Sequence, residues 1–227
     1  MIRAVTVDAL GTLVRMEPPA PRLREQLRRT TGVEVSEEQA AAAFAAEIRY
    51  YLGHHVEGGD PAALDALRDR CAAVMRDALG LEGLELAVVR EAMLASLHFE
   101  AFADAAPALE ELRSHGVRLV AASNWDSSLP DVLERTGLAP LLDGVVSSAM
   151  AGATKPAPEL FQAALHLAGA EAGEALHVGD SLENDVEGAL ALGMRAVLIE
   201  RDGAPPPGAP VPVIRTLAEL PSLVLDG

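Results

Sequence analysis

The run IRAVTV, residues 2–7, is rich in β-branched residues and alternates little. That pattern predicts a strand buried on both faces. From about residue 15 to residue 102 the chain reads as helices only. The segment SEEQAAAAFAAEIRYYLGHH opens with Ser36 and, three residues on, Gln39, which is the spacing of a capping box. DPAALDALRDRCAAVMRDALG carries Asp60 at the cap, Pro61 at the first helical position and Gly80 as terminator. LELAVVREAMLASLHF predicts a further helix. From about residue 103 helices and strands alternate. APALEELRSHG feeds VRLVAAS, SSLPDVLERTG feeds DGVVSS, APELFQAALHLAG feeds ALHVGD, and LENDVEGALALG feeds MRAVLIE. The segment at 202–212, DGAPPPGAPVP, reads as a proline-rich loop, and VIRTLAEL as an edge strand and a helix.

This rhythm implies parallel strands joined by right-handed helical crossovers. The expected architecture is a doubly wound α/β core, residues 1–14 and 103–227, with an all-helical domain, residues 15–102, inserted after the first strand. Composition supports a sizeable core: of 227 residues, 50% are hydrophobic but only 3% aromatic, so Ala, Leu and Val must fill it. The net charge of −16 leaves no source for a basic patch, so neither nucleic acid nor an anionic membrane is an expected partner. A small phosphorylated substrate stays possible, because one metal ion and one lysine can reverse the local field. Cys71 is the single cysteine and fits a reducing cytoplasm. No signal peptide and no membrane span are expected, and the chain is expected to be a monomer or homodimer.

Open parallel sheets bind ligands beyond the carboxyl ends of their strands. Here the first strand ends at Asp8 and the second at Ser123-Asn124. The third continues through a loop to Lys155, and the fourth ends at Gly179-Asp180, with Asp185 five residues later. Three carboxylates, a hydroxyl and an ammonium would then converge, which suits a divalent metal held by oxygens beside an anionic group. Lys155 is the only lysine among 18 basic residues. A chain that otherwise uses arginine throughout keeps a compact point charge at this place.

These same residues resemble the motifs of the haloacid dehalogenase (HAD) superfamily. DALGTL resembles its first motif, DxDGT[LV]. Ser123 after an apolar strand resembles the second, KPAPELF the third, and HVGDSLENDVEGA the fourth, in the family's order across nearly the whole chain. The resemblance implies a Rossmann-like core with a helical type-1 cap. It implies Asp8 as nucleophile, with Thr12 and Ser123 hydrogen-bonding the transferring group and Asn124 beside them. Lys155 would neutralise developing charge. Mg²⁺ would be held by Asp8, the backbone carbonyl of Leu10, Asp180 and, directly or through water, Asp185.

Leu10 departs from the pattern. Family phosphatases carry a second aspartate there, which protonates the leaving oxygen and then activates water. Leucine can do neither, and a positioned acid–base group is worth about 10²–10⁴-fold in rate. Three readings follow. The chain is a slow or substrate-assisted Mg²⁺-dependent phosphatase of a small metabolite. It is a dehalogenase-like hydrolase, whose halide leaves without a proton and whose substrate an arginine such as Arg15, Arg22 or Arg24 would anchor. Or it is a HAD-fold binding protein with weak activity. The first is favoured, because the acidic pair in GDSLEND is what a metal needs.

Several residues admit plainer roles. Asn124 or Asp126 could cap a helix beginning near Ser127, and Asp185 suits the dipole of a helix's first turn. Trp125 could line the cleft or simply pack. His54 and His55 sit about 100° apart on a helix, which reads as a helix end rather than a metal pair. GDSL at 179–182 matches a serine-esterase signature, but it comes late, with no histidine after His177.

Overall fold

The computed structural model describes residues 1–204 and 206–225. Its main sheet has six strands: β1 (Ala4–Val7), β4 (Arg118–Ser123), β5 (Gly144–Ser147), β6 (Ala175–Gly179), β7 (Arg195–Ile199) and β8 (Val213–Ile214). They lie in the order β5-β4-β1-β6-β7-β8, all pairs parallel. Every residue of β1 is buried, as its unbroken apolar run predicts. β1 pairs with β4 from Ala4↔Arg118 to Val7↔Ala121, and with β6 from Ala4↔Ala175 to Val7↔Val178. The chain moves outward from β1 to one side through β4 and β5, then returns to the other side at β6. The strand order therefore reverses at β1, and the crevice beyond its carboxyl end is the binding position of such sheets. Asp8, Ser123 and Asp180 all sit at that end.

The chain divides into two compact units, Met1–Arg15 with Glu100–Gly227, and Met16–Phe99. The first holds the sheet and its helices: α5 (Ala105–Ser114), α6 (Leu129–Arg135), α7 (Ser148–Ala151), α8 (Pro158–Ala168), α9 (Gly188–Ala191) and α10 (Leu220–Leu225). Phe161, Leu160, Ala164 and Val186 pack with strand residues Val120, Ala122 and Leu198 in its core. The second unit holds α1 (Pro19–Thr31), α2 (Glu37–His54), α3 (Pro61–Leu79) and α4 (Leu86–Ser96) around Leu23, Leu27, Phe44, Leu67, Met75 and Met93. The capping box forms as expected, with Ser36 Oγ accepting from the Gln39 amide and Gln39 Oε1 from the Ser36 amide. Asp60 Oδ1 accepts from the Ala62 and Ala63 amides, and Gly80 ends α3 in the left-handed region at φ 68°.

Three expectations need correction. Residues 15–102 are not helical throughout: β2 (Val14–Met16) and β3 (Phe99–Ala101) form a separate two-stranded sheet. The helix expected to reach Phe99 stops at Ser96, because Leu97 is extended (φ −78°, ψ 107°). The helix expected over 182–193 is split into a π-helical turn, Leu182–Glu187, and α9. The Asp185 and Val186 amides both bond the Ser181 carbonyl, at 3.0 and 3.2 Å, and the Asp185 side chain turns back to the Ser181 amide at 2.9 Å. The wide turn is what lets that carboxylate face the sheet; such π-bulges are frequent at functional sites. In the expected proline-rich loop, residues 202–204 and 206–212 form neither helix nor strand, and Pro205 lies outside the described residues.

Candidate active site

The turn after β1 sets the geometry. The Ala9 carbonyl accepts from the amides of Thr12, Leu13 and Val14, at 3.3, 2.8 and 2.9 Å, and the Gly11 amide bonds the Val14 carbonyl at 2.8 Å. Gly11 is required here twice over. Its φ is 84°, and a Cβ would overlap the Asp180 carboxylate. The amides of Ala9 and Leu10 meet no acceptor among the described residues. They are donors free to serve an anionic oxygen.

Asp8 is 6% exposed. Its Oδ1 accepts from Ser123 Oγ at 2.9 Å and from Lys155 Nζ at 2.7 Å, while Oδ2 makes no hydrogen bond among the described residues. Lys155, 3% exposed, directs all three donors inward: to Asp8 Oδ1, to the Ala122 carbonyl at 2.9 Å and to Asp185 Oδ1 at 2.6 Å. A lysine in this setting is held as a point charge with no freedom left. Asn124 does not cap a helix. Its Oδ1 accepts from the Lys155 amide at 2.7 Å and its Nδ2 donates to the Lys155 carbonyl at 3.1 Å, so both ends of the amide fix the lysine's backbone. The Lys155–Pro156 peptide is cis. Asp126 instead bonds the Ser128 amide, at 2.7 Å, just before α6.

Asp180 and Asp185 complete the cluster. Asp8, Asp180 and Asp185 each offer an oxygen within 4.8 Å of the others. Asp185 and Asp8 are buried, whereas Asp180 is exposed and forms no ion pair among the described residues. A Cβ at Gly179 would overlap Asp185, so glycine there admits the buried carboxylate. Burial raises the Asp8 pKa; Lys155 opposes this and Asp185 adds to it. Burial also acts against ionised Asp185, but the Lys155 ammonium and the His177 hydrogen bond prevail and hold its pKa well below the ordinary carboxylate range. Although Asp180 is exposed as a residue, partial desolvation of its carboxylate first, then the charges of Asp8 and Asp185, push it up to about 7. Burial works against the Lys155 ammonium too, but the same two carboxylates outweigh it and raise its pKa.

Three carboxylates therefore face one ammonium. Fully ionised, they leave a deficit of two positive charges, which one divalent cation would close. The donors are all hard oxygens, the kind that hold a divalent cation of this class. The residues present fit Mg²⁺.

Of the other expected site residues, Thr12 is fully buried, and its hydroxyl has no hydrogen-bond partner among the described residues. Leu10 is 43% exposed, an apolar side chain at the mouth of a charged site. Trp125 is buried, its amide bonded to Ser148 Oγ at 3.0 Å. His54 and His55 close α2 with their rings against Tyr50 and Tyr51, centroids 4.0 and 5.7 Å apart. Arg15 pairs with Glu100, Arg22 with Glu17, and Arg24 donates to the Val35 carbonyl.

Sequence reasoning missed His177. It is wholly buried on β6, with Nε2 3.0 Å from Asp185 Oδ1, Nδ1 2.8 Å from Thr6 Oγ1, and its ring edge-on to Phe161. Ionised Asp185 only accepts, so Nε2 carries the proton and the Thr6 hydroxyl donates to Nδ1. Burial lowers the His177 pKa and keeps the ring neutral. The available signal was a polar residue at an inward position of a central strand.

A family model described as haloacid dehalogenase-like hydrolase matches residues 2–193. The chain is 30% identical over 216 residues to glyceraldehyde 3-phosphate phosphatase of Methanopyrus kandleri, covering 88% of this chain and 85% of that protein. Among solved structures, a HAD phosphatase from Thermococcus onnurineus superposes with TM-score 0.68 at 28% identity, covering 99% of this chain and 98% of its own. A 2-haloacid dehalogenase from Pseudomonas syringae superposes with TM-score 0.72 over 100% and 99% of the two chains. Its 24% identity shows a shared fold alone.

Proposed function

Because this chain belongs to the haloacid dehalogenase-like hydrolase family, we propose that it is a Mg²⁺-dependent phosphatase of a small phosphorylated metabolite, working through an aspartyl-phosphate on Asp8. The observation that carries this reading is the meeting of Asp8, Asp180 and Asp185 within 4.8 Å, with Lys155 bonded to two of them. Asp8 Oδ2 is the oxygen left open to attack phosphorus, while Ser123 and Lys155 hold Oδ1 in place. The free amides of Ala9 and Leu10 and the Thr12 hydroxyl are the donors available to the phosphoryl oxygens. Asp8, Asp180, Asp185 and the Leu10 carbonyl would hold Mg²⁺, which when bound would supply positive charge to offset the carboxylates and the developing charge on phosphate. Asn124 acts one step back, by fixing Lys155. The helical unit, residues 16–99, takes the part of a cap, and the buried Cys71, a thiol outside any disulfide, is in keeping with a cytoplasmic setting.

Leu10 leaves the leaving oxygen and the hydrolytic water without a proton-transfer group at that position. Substrates with good leaving groups are therefore expected to react best, and the phosphoenzyme to hydrolyse slowly. The dehalogenase reading is weaker. Halide departure needs no metal, whereas the three carboxylates that meet at this site suit one, and the arginines available to anchor a 2-haloacid are engaged elsewhere.

The test is phosphate release from p-nitrophenyl phosphate with Mg²⁺ and with EDTA, run beside halide release from 2-haloacids. Mg²⁺-dependent phosphate release is expected, falling below about one-thousandth in Asp8→Asn. Metal-independent halide release would establish the dehalogenase, and inactivity across a broad panel the binding protein.

A further inference from the structure

Arg201, in the loop after β7, does not touch the cluster just described, yet it is tied to the turn that carries the nucleophile. Its Nε donates to the Gly11 carbonyl at 3.2 Å and its Nη2 to the Thr12 carbonyl at 2.7 Å. The same guanidinium pairs with both oxygens of Asp104, at 2.9 and 3.1 Å, and lies 3.6 Å from the centroid of the Phe102 ring. Asp104 Oδ2 in turn accepts from Thr216 Oγ1 at 2.5 Å and from the Leu217 amide at 2.8 Å. Four separate stretches of chain meet at this ion pair: the nucleophile turn, the entry to α5, the exit of β7 and the turn before α10.

We propose that Arg201, oriented by Asp104 and Phe102, is a positioning residue that fixes the Gly11–Thr12 backbone and so the distance between the nucleophile turn and Asp180. The assignment rests on the phosphatase reading for its catalytic meaning but not for its structural content. Gly11 and Thr12 are the residues whose carbonyls Arg201 holds. Gly11 is also where the turn approaches Asp180 so closely that no Cβ fits. Movement of the Gly11 peptide therefore alters the space left for the Asp180 carboxylate beside the turn, and catalytic constellations tolerate only about 0.5 Å of such drift. The demands on the side chain explain its type. Two carbonyls, a bidentate carboxylate and a ring face must be served at once, which a planar guanidinium does and a lysine cannot. The pair is also well shielded, with side-chain exposures of 14% and 17%, unlike the exposed surface pairs that contribute little.

The experiment compares the intact wild-type chain with Arg201→Lys, Arg201→Met and Asp104→Asn. Amide hydrogen exchange at residues 11–14 is measured against that of β4 and β6, and kcat and KM for p-nitrophenyl phosphate with Mg²⁺ are measured in parallel. Exchange at 11–14 is expected to rise by about tenfold in Arg201→Met and less in Arg201→Lys, with β4 and β6 unchanged. In Arg201→Met kcat is expected to fall by about ten- to a hundredfold with KM nearly constant. Unchanged exchange at 11–14, or exchange raised equally throughout the sheet, overturns the proposal. If Arg201→Met does not fold, Arg201→Lys and Asp104→Asn decide on the same two signals. If the wild type releases no phosphate from any ester, the phosphatase reading fails, and hydrogen exchange alone still decides whether Arg201 holds the turn.

Discussion

The carboxyl rim of the sheet and the interior of the helical unit bury charge in opposite ways. At the rim, Asp8, Lys155, His177 and Asp185 are all nearly inaccessible, and each is bonded to at least one of the others. The helical unit packs Leu, Ala, Met and Phe, and among its described residues it buries a single carboxylate, Glu47 at 6% exposure. Burial raises the Glu47 pKa, opposed only by a hydrogen bond with Cys71. At the rim the Lys155 ammonium opposes the upward push of burial on all three carboxylates and prevails at Asp185; at Glu47 only a hydrogen bond opposes it. A charge held ionised in an apolar setting stabilises little and is hard to maintain, so its presence marks chemistry rather than folding.

The sharpest way to break this contrast is to remove the rim's one ammonium. Lys155→Met leaves Asp8 and Asp185 facing each other without a counter-charge. It is expected to lower unfolding stability by about 3–5 kcal/mol in urea titrations and to abolish phosphate release. Stability close to wild type would show that the rim's ion pairs are dispensable to the fold.

A smaller effect is expected from giving the rim the group it lacks. Leu10 is 43% exposed, so an aspartate there incurs little burial penalty. Leu10→Asp is expected to raise steady-state phosphatase turnover by about ten- to a hundredfold, which is roughly 1.4–2.7 kcal/mol. A folded variant with equal or lower turnover would remove our explanation of that position.

The smallest effect sharpens the other side. A carboxyl with a folded pKa above its unfolded value takes up more protons folded than unfolded. Its stabilisation is complete below the unfolded value of about 4.5 and is lost as pH rises through the folded pKa. Wild-type stability should therefore carry a component that declines with pH across that window. Glu47→Gln, which mimics the neutral form, should flatten it and unfold later than wild type above the window. Equal pH profiles for the two proteins in urea would show that Glu47 is not held neutral.

Much of the rim was legible because topology follows from pattern. A buried first strand and alternating helices place the ends of β1, β4 and β6 side by side, so Asp8, Ser123 and Asp180 had to meet. Lys155 was conspicuous as the only lysine. What could not be read were contacts whose direction depends on side-chain rotamers and loop paths. Asn124 looked like a cap or a substrate ligand and instead grips the Lys155 backbone. His177 was given no role, because the partners of its ring nitrogens, Thr6 and Asp185, are set by packing across the sheet. Asp104 and Arg201, 97 positions apart, carry no motif at all.

By itself the amino-acid order determined the parallel α/β core, the helical insertion and the acids along one sheet edge, because hydrophobic periodicity and caps act over a few residues and strand connections have one favoured hand. Only the tertiary structure decided which Asp8 oxygen is left open, that Asp185 turns inward through a π-helical turn, and that Arg201 grips the Gly11–Thr12 turn. Those outcomes depend on which polar groups find partners once water is excluded, and that is settled by the packing of residues far apart in the chain.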